Sequence, residues 1–350
     1  MTAALLDHPA LPVDELTRRG LLAGAGALSA LLALSGCGTA VAPAADVGRA
    51  PTPIAHKYGE TLVPVAPERV VCLGFTDHDY LLALGLSPVA ISSYEYTAGP
   101  GGYWPWTRSA LGDARPQILT PAEVNLEAVA ALRPDLITGF ASGITEQEYG
   151  LLSRIAPTVA QPVGQPDFFA PWQELTRIAG LTVGRAERAE ELIAQVERRF
   201  AAARAANPAF EDAVAVYAAP LASGGYYAET ERSSRVEILT SLGFTVPGEI
   251  TALAGDETFA PISPERLDLL DRDVLVWELS SPEARPAIEK DPLYRILEVA
   301  REGRDVFIEA PVLAGAMAFI SVLSLPIVVD ELVPRLAAAL DGDPATAVPR

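Results

Sequence analysis

Three groups of side chains in this sequence could do chemistry. The first is Asp77-His78-Asp79, which resembles a fragment of an acid–base cluster. The same run also suits the solvated start of a helix, where carboxylates meet the positive end of the dipole, and that is the expectation here. The second is a scatter of aromatic rings and one arginine: Tyr94, Trp104, Trp106, Phe140, Tyr226, Tyr227, Arg235 and Trp277. Flat apolar faces with a single guanidinium suit holding a bulky ligand rather than transforming it. These eight are the candidate binding residues. The third is a pair of glutamates, Glu127 and Glu265, at equivalent places in a repeated stretch.

Catalytic and metal chemistry find little support. His56, His78 and Cys72 cannot build a three- or four-ligand His/Cys metal site, so no metal ligands are assigned. No Gly-x-Ser-x-Gly elbow, P-loop or Gly-x-Gly-x-x-Gly helix opening occurs, and an enzyme is not expected. The formal net charge of −19 argues against nucleic acid and against an anionic bilayer surface as partners.

The elements that position these residues follow from pattern. Asn125 to Thr138 reads cap, short helix, apolar strand, and Ser263 to Val276 reads the same way, with Pro264 suited to the first helical position. Two such units, each within its own run of alternating strands and helices, predict an α/β protein of two similar lobes with parallel sheets. In lobe one, strands are expected at Arg69–Gly74, Pro88–Ser93, Asp135–Thr138 and Thr158–Gln161, with helices at Asp77–Leu84, Asn125–Leu132 and Thr145–Ile155. In lobe two, strands are expected at Ala213–Ala218, Phe244–Val246, Val274–Val276 and Asp305–Ile308, with helices at Ser233–Leu242 and Pro292–Arg301. A last helix from about Ser321 to Leu340 should be broken or bent at Pro326 and Pro334.

Arg185 to Ala206 lacks Gly and Pro, and Leu192, Val196 and Phe200 recur every fourth residue, so one stiff helix joins the lobes. Lobe one carries the longer insertion, with Tyr94, Tyr96, Gly99-Pro100-Gly101-Gly102 and Tyr103-Trp104-Pro105-Trp106. It reads as an irregular, aromatic loop beyond a strand end, where open α/β sheets bind ligands. Phe168, Phe169 and Trp172 lie at another strand-to-helix connection.

The beginning of the chain reads as an address. Thr17-Arg18-Arg19-Gly20-Leu21-Leu22 is a twin-arginine pattern, an uncharged run follows, and Leu34-Ser35-Gly36-Cys37 has the form of a lipoprotein cleavage box. The expected organisation is a signal peptide over 1–36, a tether over 37–53 starting at a lipid-bearing Cys37, an N-terminal lobe over 54–180, the connecting helix over 181–208 and a C-terminal lobe over 209–350. Cys72, in an apolar run, is expected to be a buried small hydrophobe.

Several of these features together resemble the iron-siderophore and cobalamin class of substrate-binding lipoproteins of ABC importers. They are Arg69-Val70-Val71, Ala83-Leu84-Gly85-Leu86, Asn125-Leu126-Glu127, Arg133-Pro134-Asp135-Leu136, the connecting helix and Leu242-Gly243-Phe244. The Gly74-Phe75-Thr76-Asp77-His78-Asp79 turn and Trp104-Pro105-Trp106 look like the variant of actinobacterial ferric-siderophore binders. The resemblance implies the class III periplasmic-binding-protein fold, two Rossmann-like lobes joined by a single long α-helix, with a ferric siderophore held between them. It implies a monomer anchored to the outer face of the cell membrane by its lipid, with Glu127 and Glu265 docking on arginines of a permease dimer. The acidic total and aromatic loop lean toward hydroxamate or mixed chelates, a leaning that one well-placed arginine would reverse. A cobalamin or haem binder of the same architecture, or a surface lipoprotein that only interacts or signals, is the alternative.

Overall fold

The computed structural model describes residues 51–92, 102–120, 124–221, 224–279 and 281–349. All of them fall within one unit, Gly48–Arg350. The chain enters through an antiparallel hairpin, β1 (Thr52–His56) and β2 (Gly59–Val63), that its sequence did not announce.

Lobe one then runs β3 (Val70–Cys72), α1 (Asp77–Ala83), β4 (Ala90–Ser92), α2 (Pro105–Leu111), β5 (Gln117–Leu119), α3 (Leu126–Ala131), β6 (Leu136–Thr138), α4 (Glu146–Leu152), β7 (Thr158–Val159) and α5 (Trp172–Thr182). Its sheet is wholly parallel, in the order β5-β4-β3-β6-β7. β3, β4 and β6 are buried along their whole length because helices cover both faces, which is why they read as unbroken apolar runs. The strand order reverses between β3 and β6, so their carboxyl ends diverge and leave a crevice.

A helix of 21 residues, α6 (Ala186–Ala206), leads to lobe two and buries Ala189, Ile193, Val196 and Phe200 along one stripe. Lobe two runs β8 (Ala215–Pro220), β9 (Tyr226–Glu229), α7 (Ser234–Ser241), α8 (Gly248–Ala254), β10 (Phe259–Ile262), a 3-10 segment (Pro264–Leu270), β11 (Val274–Glu278), α9 (Ala284–Lys290), α10 (Glu298–Arg301), β12 (Asp305–Ile308), α11 (Pro311–Ala318) and α12 (Leu325–Ala339).

Lobe two departs from the expected copy of lobe one. Its sheet has the order β10-β9-β8-β11-β12, and β9 and β10 are antiparallel. Phe244–Val246 forms only a single bridge, Thr245 to Val214, because β9 occupies the edge of β8 where that strand would pair. Asn125 caps α3 by accepting the Ala128 N–H at 2.9 Å, but Ser263 makes no such bond and the segment after it is a 3-10 run with a non-helical Arg266. Between Pro292 and Arg301 only a 3-10 turn and the four-residue α10 form. Pro326 starts α12 rather than breaking it, since its missing N–H is harmless there, and Pro334 lies inside the helix.

The lobes share a hydrophobic core. One continuous cluster contains Cys72, Tyr80 and Phe140 of lobe one, Val196 and Phe200 of α6, and Tyr217, Val276 and Met317 of lobe two. Residues between α11 and α12 return to lobe one: the Tyr80 hydroxyl donates to the Ile320 carbonyl at 3.0 Å, and α12 lies along α6 with an Arg199–Asp330 ion pair at 3.3 Å. A Cβ on Gly315 would overlap the Trp104 ring, so glycine is what lets α11 approach α2.

Candidate functional site

The turn after β3 sets up the crevice. Asp77, at the start of α1, accepts the backbone N–H groups of Phe140 and Ala141 at 3.0 Å each, and so ties α1 to the loop that follows β6. Burial pushes its carboxyl above the usual range, and those N–H groups oppose the shift. Asp79 accepts from Trp106 Nε1 at 2.7 Å, Thr107 Oγ1 at 2.6 Å and Ser321 Oγ at 2.8 Å. Asp77, His78 and Asp79 are all buried, so the solvated helix start expected from the sequence is corrected. The carboxylates serve as internal acceptors that fasten α1 to β6, to α2 and to the segment before α12.

At the carboxyl ends of β3, β4, β5 and β6 lies a cavity of about 880 Å³. Leu73 and Phe75 extend β3 into it, Ser92 ends β4, Gln117 and Thr120 come with β5, and Ser142 to Thr145 follow β6. The first turns of α3 and α4 close the side with Asn125 and Glu148. Thr145 and Glu148 form a reciprocal capping box, with the Thr145 N–H donating to Glu148 at 2.8 Å, which fixes that carboxylate at the cavity edge.

Phe168 supplies an opposing wall. Its ring stacks on Phe75 with centroids 4.9 Å apart and planes 15° from parallel. The loop that carries it is held by Asp167, which accepts from Lys57 Nζ at 2.7 Å and from Gln161 Nε2 at 3.1 Å. Phe168 has φ of 70°, a strained value for a large side chain, of the kind that clusters at binding sites. Gly143 makes room for it: a Cβ there would sit 2.6 Å from the ring. The arrangement offers apolar stacking faces, hydroxyls and amides around a space large enough for a bulky ligand.

Lobe two presents a different group. Arg235, in the first turn of α7, lies 3.1 Å from Glu229 and 3.2 Å from Glu278, and the Tyr217 hydroxyl donates to Glu278 at 3.1 Å. Burial works against the guanidinium charge, but the two carboxylates outweigh it and hold the arginine above its usual pKa. Burial raises the pKa of Glu229 despite that arginine.

The other candidate rings are mostly committed elsewhere. Trp104 and Trp106 belong to the cap and first turn of α2, not to an irregular loop, because Pro105 is a helix-starting residue at that position. They stack on each other at 5.1 Å, Trp106 is nearly enclosed, and Trp104 packs on Phe319 at 5.6 Å. Phe140 and Trp277 are 1% and 0% exposed and leave no face for a ligand. The Trp277 indole meets the Tyr294 hydroxyl at 3.3 Å and its ring packs on Phe307 in the core of lobe two. Tyr226 packs on Trp277 and donates to Asp291 at 3.2 Å, while Tyr227 is half-buried beside Phe259; burial, then neighbouring carboxylates, pushes both phenols up to about 12. Tyr94 and Cys37 lie outside the described residues. Glu127 and Glu265 are both exposed. Cys72 is fully buried, and burial drives its thiol well above its usual pKa.

The sequence reading therefore missed Phe75, Ser142 and Glu148 as cavity residues. Phe75 and Ser142 follow buried strands closely, which is the signal that could have found them; Phe168 was marked by that rule. Among the described residues no group of three or more His, Cys, Asp or Glu could hold a metal ion, and no helix is long and apolar enough to cross a membrane.

A doubly wound lobe with a crevice at its strand reversal, linked by one long helix to a second lobe, defines a two-lobed solute-binding protein. The chain belongs to the periplasmic binding protein family, whose pattern spans residues 70–315. It is similar to a periplasmic solute binding protein from Mycobacterium smegmatis, with a TM-score of 0.74 and 36% identity over 83% of this chain and 99% of that one. It is 25% identical to the Fe(3+)-citrate-binding protein YfmC of Bacillus subtilis over 72% of this chain and 76% of that protein. PiaA from Streptococcus pneumoniae in complex with ferrichrome shares the fold, with a TM-score of 0.68 and 24% identity over 83% of this chain and 99% of that one.

Proposed function

We propose that this protein is the substrate-binding lipoprotein of an ABC importer, exported and held at the outer face of the cell membrane by a lipid on Cys37, and that it captures a ferric siderophore. The observation that carries this reading is the cavity at the β3/β6 strand reversal, with its Phe75–Phe168 stack. Its volume suits a chelate of siderophore size, and its stacking faces suit a large, partly apolar ligand shell. The iron in this reading is cargo, enclosed by its chelator, so the protein needs no metal ligands of its own. Similarity to a protein named for Fe(3+)-citrate binding supports a ferric chelate as the ligand.

Delivery requires a partner, and Glu127 and Glu265 are the residues we assign to it. Each is exposed in the first turn of a helical segment that follows a cap position. Carboxylates so placed can accept paired, charge-assisted hydrogen bonds from permease arginines and set the register of docking. The test uses the double variant Glu127→Ala with Glu265→Ala as the cell's single copy of this protein. Chelate affinity should stay within about twofold while iron uptake falls at least about tenfold. Normal uptake with that variant would remove the docking role. Absence of any ferric-chelate binding by the unaltered chain would remove the ligand assignment.

A further inference from the structure

Among the described residues, the cavity of lobe one has no basic side chain in its lining. Its polar groups are hydroxyls, the amides of Gln117 and Asn125, and one carboxylate, Glu148. Lys57, on the β1–β2 turn, is paired with Asp167, the neighbour of Phe168, at 2.7 Å. In lobe two, Arg235 is enclosed by Glu229 and Glu278, a trio with one more carboxylate than guanidinium. The whole chain carries −19.

From this we infer that the site selects its ferric chelate by charge: it admits neutral and cationic complexes, such as ferric trihydroxamates, and excludes strongly polyanionic ones, such as ferric tris-catecholates. The inference rests on the ferric-siderophore reading above and sharpens it. A polyanion entering the cavity would give up its water and meet a carboxylate with no compensating cation, an arrangement that costs both desolvation and repulsion. A neutral complex meets only stacking faces and hydrogen-bonding groups. A cationic one gains from Glu148 and is drawn in by the field of the chain. The discrimination comes from a repulsive element as much as from an attractive one.

The experiment titrates the full chain with three ferric complexes, following tryptophan fluorescence: ferrioxamine B (cationic), ferrichrome (neutral) and ferric enterobactin (trianionic). Ferrioxamine B or ferrichrome should bind at least about 100-fold tighter than ferric enterobactin, a difference of about 2.7 kcal/mol. Tight binding of the trianion overturns charge selection and leaves siderophore capture standing. Binding of none of the three overturns siderophore capture itself. Glu148→Gln provides a second reading, because glutamine preserves the capping box with Thr145 and removes only the charge. It should shift the ratio of cation to trianion affinity toward the trianion by about threefold or more, an effect that fades with salt. An unchanged ratio at low salt would overturn the assignment of the charge sensor to this rim.

Discussion

Asp79 is 2% exposed and is the acceptor for an indole, a threonine hydroxyl and a serine hydroxyl, so its loss strands three buried donors. Asp79→Ala should lower stability by about 3 kcal/mol or more, read as a drop in the thermal or denaturant midpoint. Asp79→Asn keeps an acceptor oxygen and should recover part of that loss. Sequence reading placed this carboxylate in solvent because helix starts usually are, and because one partner, Ser321, lies 242 positions away. Nothing local to Asp77-His78-Asp79 announces that α2 and the segment before α12 will close over it. Phe168 gives the opposite case: a ring at a strand-to-helix connection was marked by position alone, and it does wall the cavity. Phe168→Ala keeps the Cβ, and with it the unfavourable backbone conformation, but should weaken chelate binding by roughly tenfold, on the scale of one lost stacking contact. Equal affinity in that variant, measured by quenching, would move the ligand away from the stack.

At the level of elements, the β1–β2 hairpin contains a pH-dependent joint. His56 is buried, accepts the Tyr58 N–H on Nδ1 at 3.2 Å and faces the Thr61 hydroxyl through Nε2 at 2.9 Å. That pattern suits a neutral ring whose Nε2–H donates to Thr61, whose own hydroxyl donates to the Thr158 carbonyl at 2.6 Å. Burial lowers the pKa of His56 below its ordinary 6.5. The unfolded chain therefore binds the proton more readily, and the contribution of His56 to stability is full above 6.5 and is lost as pH falls through the lower folded value. Melting of the full chain across this window should fall with acid, and His56→Gln should flatten the dependence. Elements governed by local chemistry were legible: the Asn125 cap, the α6 stripe and the buried parallel strands of lobe one. Elements that depend on edge pairing were not, since β9 and β10 take their direction from β8 and from each other. α2 was misread because Pro105 was taken as a breaker, although proline at a first helical position favours the helix.

For the whole molecule, the shared core argues for little relative motion of the lobes. α6 provides the covalent link, and α12 lies beside it, with the Asp79–Ser321 and Tyr80–Ile320 bonds adding a seat on lobe one. Small-angle scattering with and without a bound chelate should change the radius of gyration by less than about 1 Å, in keeping with preorganised binding. The sequence reading expected this stiffness from the connecting helix alone; the return of the segment between α11 and α12 to lobe one was hidden because it depends on contacts between residues 240 and 242 positions apart. That return has a consequence for how the chain is made. Lobe one is synthesised early, but its buried Asp79 lacks one of its three donors until Ser321 has left the ribosome. Packing around Asp79 is therefore completed by a residue 242 positions further along the chain, a long-range closure of the kind that slows folding. Nascent chains halted before Ser321 should remain open to proteases, whereas chains extended through α12 should become resistant. A protein with this wiring makes the seating of its first helix conditional on a residue translated 242 positions later.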